Sequence, residues 1–169
     1  MEQMSAALLP SLPTGDGVCS DAVGSVWRRG FYDATHTTER YPLLTAQYCR
    51  LTEEVGELSE AEENLILSGI TDELADVMIV LCQMAWLSGM NPDVLLCATT
   101  SEIVPLCVIQ SKLYRSIRKG DEKGISNWIV FMACQCDRVA KSHGIDLEQA
   151  MRDKIARDEL RGIRHEGGI

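Results

Sequence analysis

Glu54 and Glu57 stand three residues apart in Glu53-Glu54-Val55-Gly56-Glu57, and Glu73 and Asp76 stand three apart in Glu73-Leu74-Ala75-Asp76. In a helix, positions i and i+3 share a face, with Cβ atoms about 5–6 Å apart. Each acidic pair therefore points one way. On two neighbouring antiparallel helices the pairs would converge into a set of four carboxylates. Like charges held that close either take up protons or are neutralised by cations. The donors are hard oxygens, which favour Mg²⁺, or Mn²⁺, over zinc. A di-iron centre in a helical bundle calls for Glu-x-x-His pairs, and no histidine lies between His36 and His143. The same spacing also suits a solvated acidic helix face, and spacing alone leaves both readings open.

The charge distribution sharpens the choice. Between Leu51 and Ser111 there are 11 acidic residues and no Lys or Arg, although the whole chain of 169 residues carries a net charge of only −9. A long acidic run without interspersed cations either stays wet or binds cations. Such acidity argues against a protein that grips nucleic acid backbones. No apolar run reaches the roughly 18 residues of a membrane helix. The opening MEQMSAALLPSLP lacks a basic n-region and is not expected to be a signal peptide. Seven cysteines without a C-x-x-C pair, most of them in apolar helical stretches, read as small hydrophobes of a reducing, cytoplasmic compartment. Cys134 and Cys136, two apart on different helix faces, make a poor metal pair.

The elements that must position the acids are helices. Residues 1–24, rich in Gly, Pro, Ser and Asp, predict a loose N-terminal arm. A single all-α domain is expected over 25–165. Val26–Tyr32 forms a short helix on this reading. Pro42 opens a long helix to about Ser68, with Gly69 as its stop. Thr71 caps the next, which runs to about Leu87 and stops at Ser88-Gly89. Asn91-Pro92 starts a short helix to about Cys97. Further helices are expected over 101–119, 125–142 and 147–161, with Gly120, Gly124 and Gly144 as breaks. Asp146 and Gln149 form a capping box for the last. No alternating strand pattern is present.

Shifting the chain by 55 residues aligns Leu51 with Leu106, Leu58 with Leu113, Leu74 with Ile129, Val77 with Met132, Ala85 with Ala140 and Gly89 with Gly144, without a gap. Chance matching of two amphipathic helix pairs is the alternative. The constant offset favours two tandem helical hairpins, one over about 42–97 and one over about 98–152, packed as a four-helix-bundle-like core with flanking helices.

The segments EEVGELSEA and DELADVMIVL closely resemble the EExxE…ExxD pattern of the MazG-like all-α nucleoside triphosphate pyrophosphohydrolases, a superfamily that includes the dimeric dUTPases. The similarity covers roughly residues 40–95 well, and KIARDELRGIRH is similar to the family's basic C-terminal stretch. The resemblance implies one to three Mg²⁺ ions and cleavage of a nucleoside triphosphate between its α- and β-phosphates. Glu54, Glu57, Glu73 and Asp76 would be the metal ligands, and Glu53 would hold a second metal or orient the attacking water. Lys154 and Arg161 fall where the family's tail contacts phosphate, although Asp158 stands where relatives often have Asn. Trp27 and Phe31 occupy places where relatives stack a base, with core packing as the other reading. His36 is a candidate for base or sugar contact, while His143 and His165 read as helix-end and tail residues.

The second hairpin departs from the pattern. At the 55-residue offset the five acids become Val108, Ile109, Lys112, Trp128 and Phe131, so one hairpin is metal-binding and the other degenerate. Lys112 and Arg115 are candidates for contact with the same nucleotide. The function expected is Mg²⁺-dependent hydrolysis of a (deoxy)nucleoside triphosphate to monophosphate and pyrophosphate. A dUTPase of the same superfamily and a catalytically silent nucleotide-binding or interaction module are the alternatives. Relatives assemble as dimers or tetramers, which implies a homo-oligomer, a dimer first.

Overall fold

A computed structural model describes residues 9–30, 32 and 39–161. Among them are six α-helices and no strand: α1 Val18–Arg28, α2 Arg40–Glu63, α3 Leu67–Leu87, α4 Leu106–Lys119, α5 Glu122–Ser142 and α6 Leu147–Arg161, with a 3₁₀ turn at Pro92–Leu96. The all-α, bundle-like fold expected from the sequence is the one observed. Phe31, His36 and His165 lie outside the described residues.

Helix α3 is the centre. Fourteen of its 21 residues are buried, so it is covered on nearly every side, as a helix apolar all round must be. It packs against α1, α2, α5, α6 and the 3₁₀ turn, while α2 also meets α4, and α4 pairs with α5. Leu51, Leu58, Leu74, Val77, Leu113, Ile129 and Met132 are all fully buried in the one core these helices share.

Several boundaries differ from the sequence reading, each for a local reason. Helix α1 begins at Val18, inside the stretch expected to be loose, and Val18, Cys19, Ala22, Val23 and Val26 are buried. Its first turn is held from a distance: Asp93, in the 3₁₀ turn, accepts from the Ser20 backbone N–H at 3.0 Å and from the Ser20 hydroxyl at 2.6 Å. No local cap announces that helix. Helix α2 stops at Glu63, not near Ser68, because Leu65 takes the left-handed conformation (φ 54°) and the Ile66 N–H returns to the Ala61 carbonyl. Gly69 lies within α3, where a Cβ would come within 3.3 Å of the Ala61 Cβ. It serves close packing of α2 on α3, not a stop. Thr71 also lies within α3, its hydroxyl bonded to the Leu67 carbonyl.

In the second half, α4 starts at Leu106, after Pro105. Residues 101–104 are irregular, with Arg138 and Gln135 of α5 donating to the carbonyls of Thr100 and Glu102. Gly124 is no break either: the cap of α5 is Asp121, which accepts from the Gly124 N–H at 2.9 Å, and a side chain on Gly124 would collide with that carboxylate. Asp146 caps α6 through the Gln149 N–H as expected, but the Gln149 side chain turns to Asp153.

The 55-residue offset reappears in the turns. Leu65 and Gly120 are both left-handed, as are Gly89 and Gly144. The bond Ile66 N–H to Ala61 O recurs as Asp121 N–H to Ser116 O, and Met90 N–H to Ala85 O recurs as Ile145 N–H to Ala140 O. Both hairpins therefore close each turn with the same six-residue return bond from an N–H to an orphan carbonyl.

Candidate metal centre

The acids sit on the two helices of the first hairpin. The register that places Ala61 beside Gly69 continues one turn on to Glu57 and Glu73, and another to Glu54 and Asp76. One carboxylate oxygen each from Glu54, Glu57 and Glu73 lies within 4.8 Å of the other two. The helices bury Leu51, Val55 and Leu58 on one side of the seam and Leu74, Ala75 and Val77 on the other, which holds the acids at the edge of the core. Glu54, Glu73 and Asp76 are half-buried, and Glu57 is exposed.

The fourth acid is engaged differently. Asp76 accepts from the Lys154 ammonium of α6 at 2.5 Å. One turn earlier on α3, Asp72 is bound by Arg157 through two nitrogens, at 2.7 and 3.2 Å. Arg50 stands 3.6 Å from Glu54. The acidic window that holds no cation in sequence thus acquires several in space, all at its edges.

Electrostatics follow from that arrangement. Burial, then the charges of Asp76 and Glu57, a hydrogen bond with Glu57 and the charge of Glu54 push the Glu73 carboxyl up to about 7. Burial and the Asp76 charge raise Glu54, with Arg50 opposing them. Burial also raises Asp76, against the pull of Lys154. By contrast, the Arg157 hydrogen bond holds Asp72 below the usual carboxylate range. With Arg50 beside Glu54 and Lys154 beside Asp76, the cluster is short of positive charge at Glu57 and Glu73.

These residues fit a hard divalent cation. All the donors are carboxylate oxygens, their charges are mutually unfavourable, and the buried Glu73 Oε2 has no hydrogen-bond partner. Such a cation would hold the set in its ionised form.

The remaining candidates are dispersed. Glu53 is exposed on α2 and outside the three-acid group. Arg161, at the end of α6, stands 3.9 Å from Asp158, which also pairs with Arg29 at 3.3 Å. Trp27 keeps 37% of its surface exposed and packs against Tyr32 and Trp86, with centroids 5.5 and 5.7 Å away. Lys112 and Arg115 are exposed on α4, and no ion pair joins either to the acids among the described residues. Sequence reasoning did not anticipate Arg50 as a site residue. Its spacing of four before Glu54 is the signal that could have found it.

Comparison with known proteins places the hairpin. Residues 28–98 match the family model of phosphoribosyl-ATP pyrophosphohydrolase, ending before α4 begins. No curated protein and no solved structure matches the chain. That family is one of pyrophosphohydrolases, and the matched segment holds all five acids of the motif. The hairpin at residues 28–98 is thus similar to a family of the MazG-like all-α nucleoside triphosphate pyrophosphohydrolase superfamily, the one its acidic motif resembles.

Proposed function

We propose that the chain hydrolyses a (deoxy)nucleoside triphosphate between its α- and β-phosphates, releasing the monophosphate and pyrophosphate. The observation that carries the reading is the convergence of Glu54, Glu57 and Glu73 within 4.8 Å beside Asp76. Mg²⁺, or Mn²⁺ in its place, would be held by Glu54, Glu57, Glu73 and Asp76. It would supply charge neutralisation of the phosphoryl oxygens and acidify a bound water. The chain's own part is to fix the acids on two packed helices and to offer cations for the rest of the phosphate charge. Lys154 is best placed for that, since it already lies against Asp76. Arg161 extends the positive edge of α6, and Glu53 keeps the outer place suited to orienting water. Lys112 and Arg115 add positive potential from α4, and Trp27 offers a ring to a base.

Two further parts of the reading rest on simpler features. The exposed run Leu65-Ile66-Leu67 supports a homo-oligomer, a dimer first. The seven unpaired thiols suit a reducing, cytoplasmic setting. No helix among the described residues is long and apolar enough to cross a membrane.

Pyrophosphate release from the eight common NTPs and dNTPs, and from phosphoribosyl-ATP, tests the proposal with and without Mg²⁺. Turnover that needs the metal and falls by roughly 10³-fold or more in Glu57→Gln and Asp76→Asn is expected. Turnover of phosphoribosyl-ATP alone would replace the substrate while keeping the chemistry. No metal-dependent release from any of them, with both variants folded like the parent, would leave a binding module.

A further inference from the structure

Gln47 lies in α2 one heptad before Glu54, on nearly the same helix face and about 10.5 Å away along the axis. It has no exposed surface, and neither its amide nitrogen nor its carbonyl oxygen has a hydrogen-bond partner. The α2–α3 register that pairs Glu57 with Glu73 sets Gln83 at the same level on α3. Gln83 is equally buried, yet it is fully used: the Tyr32 hydroxyl donates to its Oε1 at 2.6 Å, and its Nε2 donates to the Ala22 carbonyl at 3.1 Å. The fold thus satisfies one carboxamide at this level and leaves the other with both its donor and its acceptor idle. A leucine at Gln47 would avoid the cost of burying an unpaired amide. A polar group retained under those conditions points to a partner absent from the free chain.

The position identifies the partner's chemistry. The separation of Gln47 from Glu54 is comparable to the span from a nucleotide's phosphates to the hydrogen-bonding edge of its base. Aromatic side chains stand at the same level: Tyr32, bonded to Gln83, has the Trp27 and Trp86 rings 5.5 and 5.3 Å away. A carboxamide presents one donor and one acceptor in a plane, the complement of a base edge with adjacent acceptor and donor. We infer that Gln47 determines base specificity, its carboxamide pairing with the edge of the base whose phosphates lie at Glu54, Glu57 and Glu73. This rests on the nucleotide reading proposed above. Because Gln47 is sealed in the free chain, the base reaches it by displacing the side chains that cover it. Nucleotide binding therefore rearranges the hairpin locally and alters the emission of the nearby tryptophans.

The experiment compares the parent with Gln47→Leu, and with Gln47→Met should the first not fold. It measures kcat/KM for the eight NTPs and dNTPs, and the affinity for their α,β-imido analogues by tryptophan fluorescence. The parent is expected to prefer one base by about tenfold or more, and the variants to compress that spread to within about threefold. Their affinity for the least favoured base and their thermal stability should be unchanged or improved. Unaltered base ratios in both variants overturn the inference while metal-dependent turnover in the parent keeps the enzyme reading intact. A parent without base preference overturns it equally. Failure of every nucleotide to be turned over and of every analogue to bind overturns both.

Discussion

The two hairpins of this chain, α2–α3 and α4–α5, share their turns and differ in their chemistry. Leu65 and Gly120 occupy the same left-handed corner, and the same return bonds close both stops. Yet the seam that gathers carboxylates in the first is apolar in the second. There Ile109 is fully buried, and Trp128 and Phe131 meet edge to face, 5.9 Å between centroids. Lys112, the counterpart of Glu57, is exposed. A hairpin of this kind is specified by its apolar stripe and its corners, so the charged positions beside the stripe are free to differ. The acids are thus additions to a shared scaffold, and their mutual repulsion is a local burden on stability that a bound cation would relieve.

The comparison can be broken most forcefully at the shared core. Leu58 and Leu113 hold equivalent, fully buried positions. Leu58→Ala and Leu113→Ala should each destabilise the chain by about 2–5 kcal/mol in urea titrations, and by similar amounts if the hairpins are equivalent parts of one core. A large effect at one and almost none at the other would mean that only one hairpin is built into the cooperative unit.

The acids should set the hairpins apart in their response to pH. The Glu73 carboxyl is raised from its ordinary 4.5 to about 7 by burial and by its acidic neighbours. In that interval the folded chain holds more protons than the unfolded one, so the contribution of Glu73 is full below about 4.5 and is lost as pH rises through 7. Glu54 and Asp76 shift in the same direction. The Tm of the metal-free protein should therefore fall between pH 5 and 8, with Mg²⁺ restoring it at the upper end. Glu73→Gln should flatten the fall, and a Tm independent of pH, metal and this substitution would contradict the charged cluster.

The smallest expected effect is at the corners. Leu65 adopts a conformation that costs a non-glycine residue about 1–2 kcal/mol, whereas Gly120 adopts it freely. Leu65→Gly should stabilise the chain by roughly 0.5–1 kcal/mol, and Gly120→Ala should destabilise it by about 1 kcal/mol. Opposite signs in thermal denaturation would support equal corners; a loss in both would show that the exposed Leu65 side chain is held by a contact of its own.

Much of this was legible in the residues. Apolar periodicity, the stops at Gly89, Gly120 and Gly144, and the cap at Asp146 are short-range features carried by neighbouring residues, so the all-α class and most helix ends could be read from them. The i, i+3 spacing of Glu54 with Glu57 and of Glu73 with Asp76 likewise follows from helix geometry alone. Where the local signal misled, the physical cause was a contact made elsewhere. Asp93 caps α1 across 73 residues, Gly69 serves the approach of Ala61, and Leu65 turns the chain without a glycine.

By itself, then, the sequence determined that the chain is helical, that its acids come in pairs on two helices, and that one hairpin has the motif and the other lacks it. Only the tertiary structure decided how those pairs share their charge. Packing α6 against α3 brings Lys154 to Asp76 and Arg157 to Asp72, while Glu54, Glu57 and Glu73 each keep a carboxylate oxygen within 4.8 Å of the others. It also buried Gln47 without a partner beside a satisfied Gln83. The reason is common to both: periodicity tells which face of a helix a residue is on, but the field and the partners at that face come from segments distant in the chain.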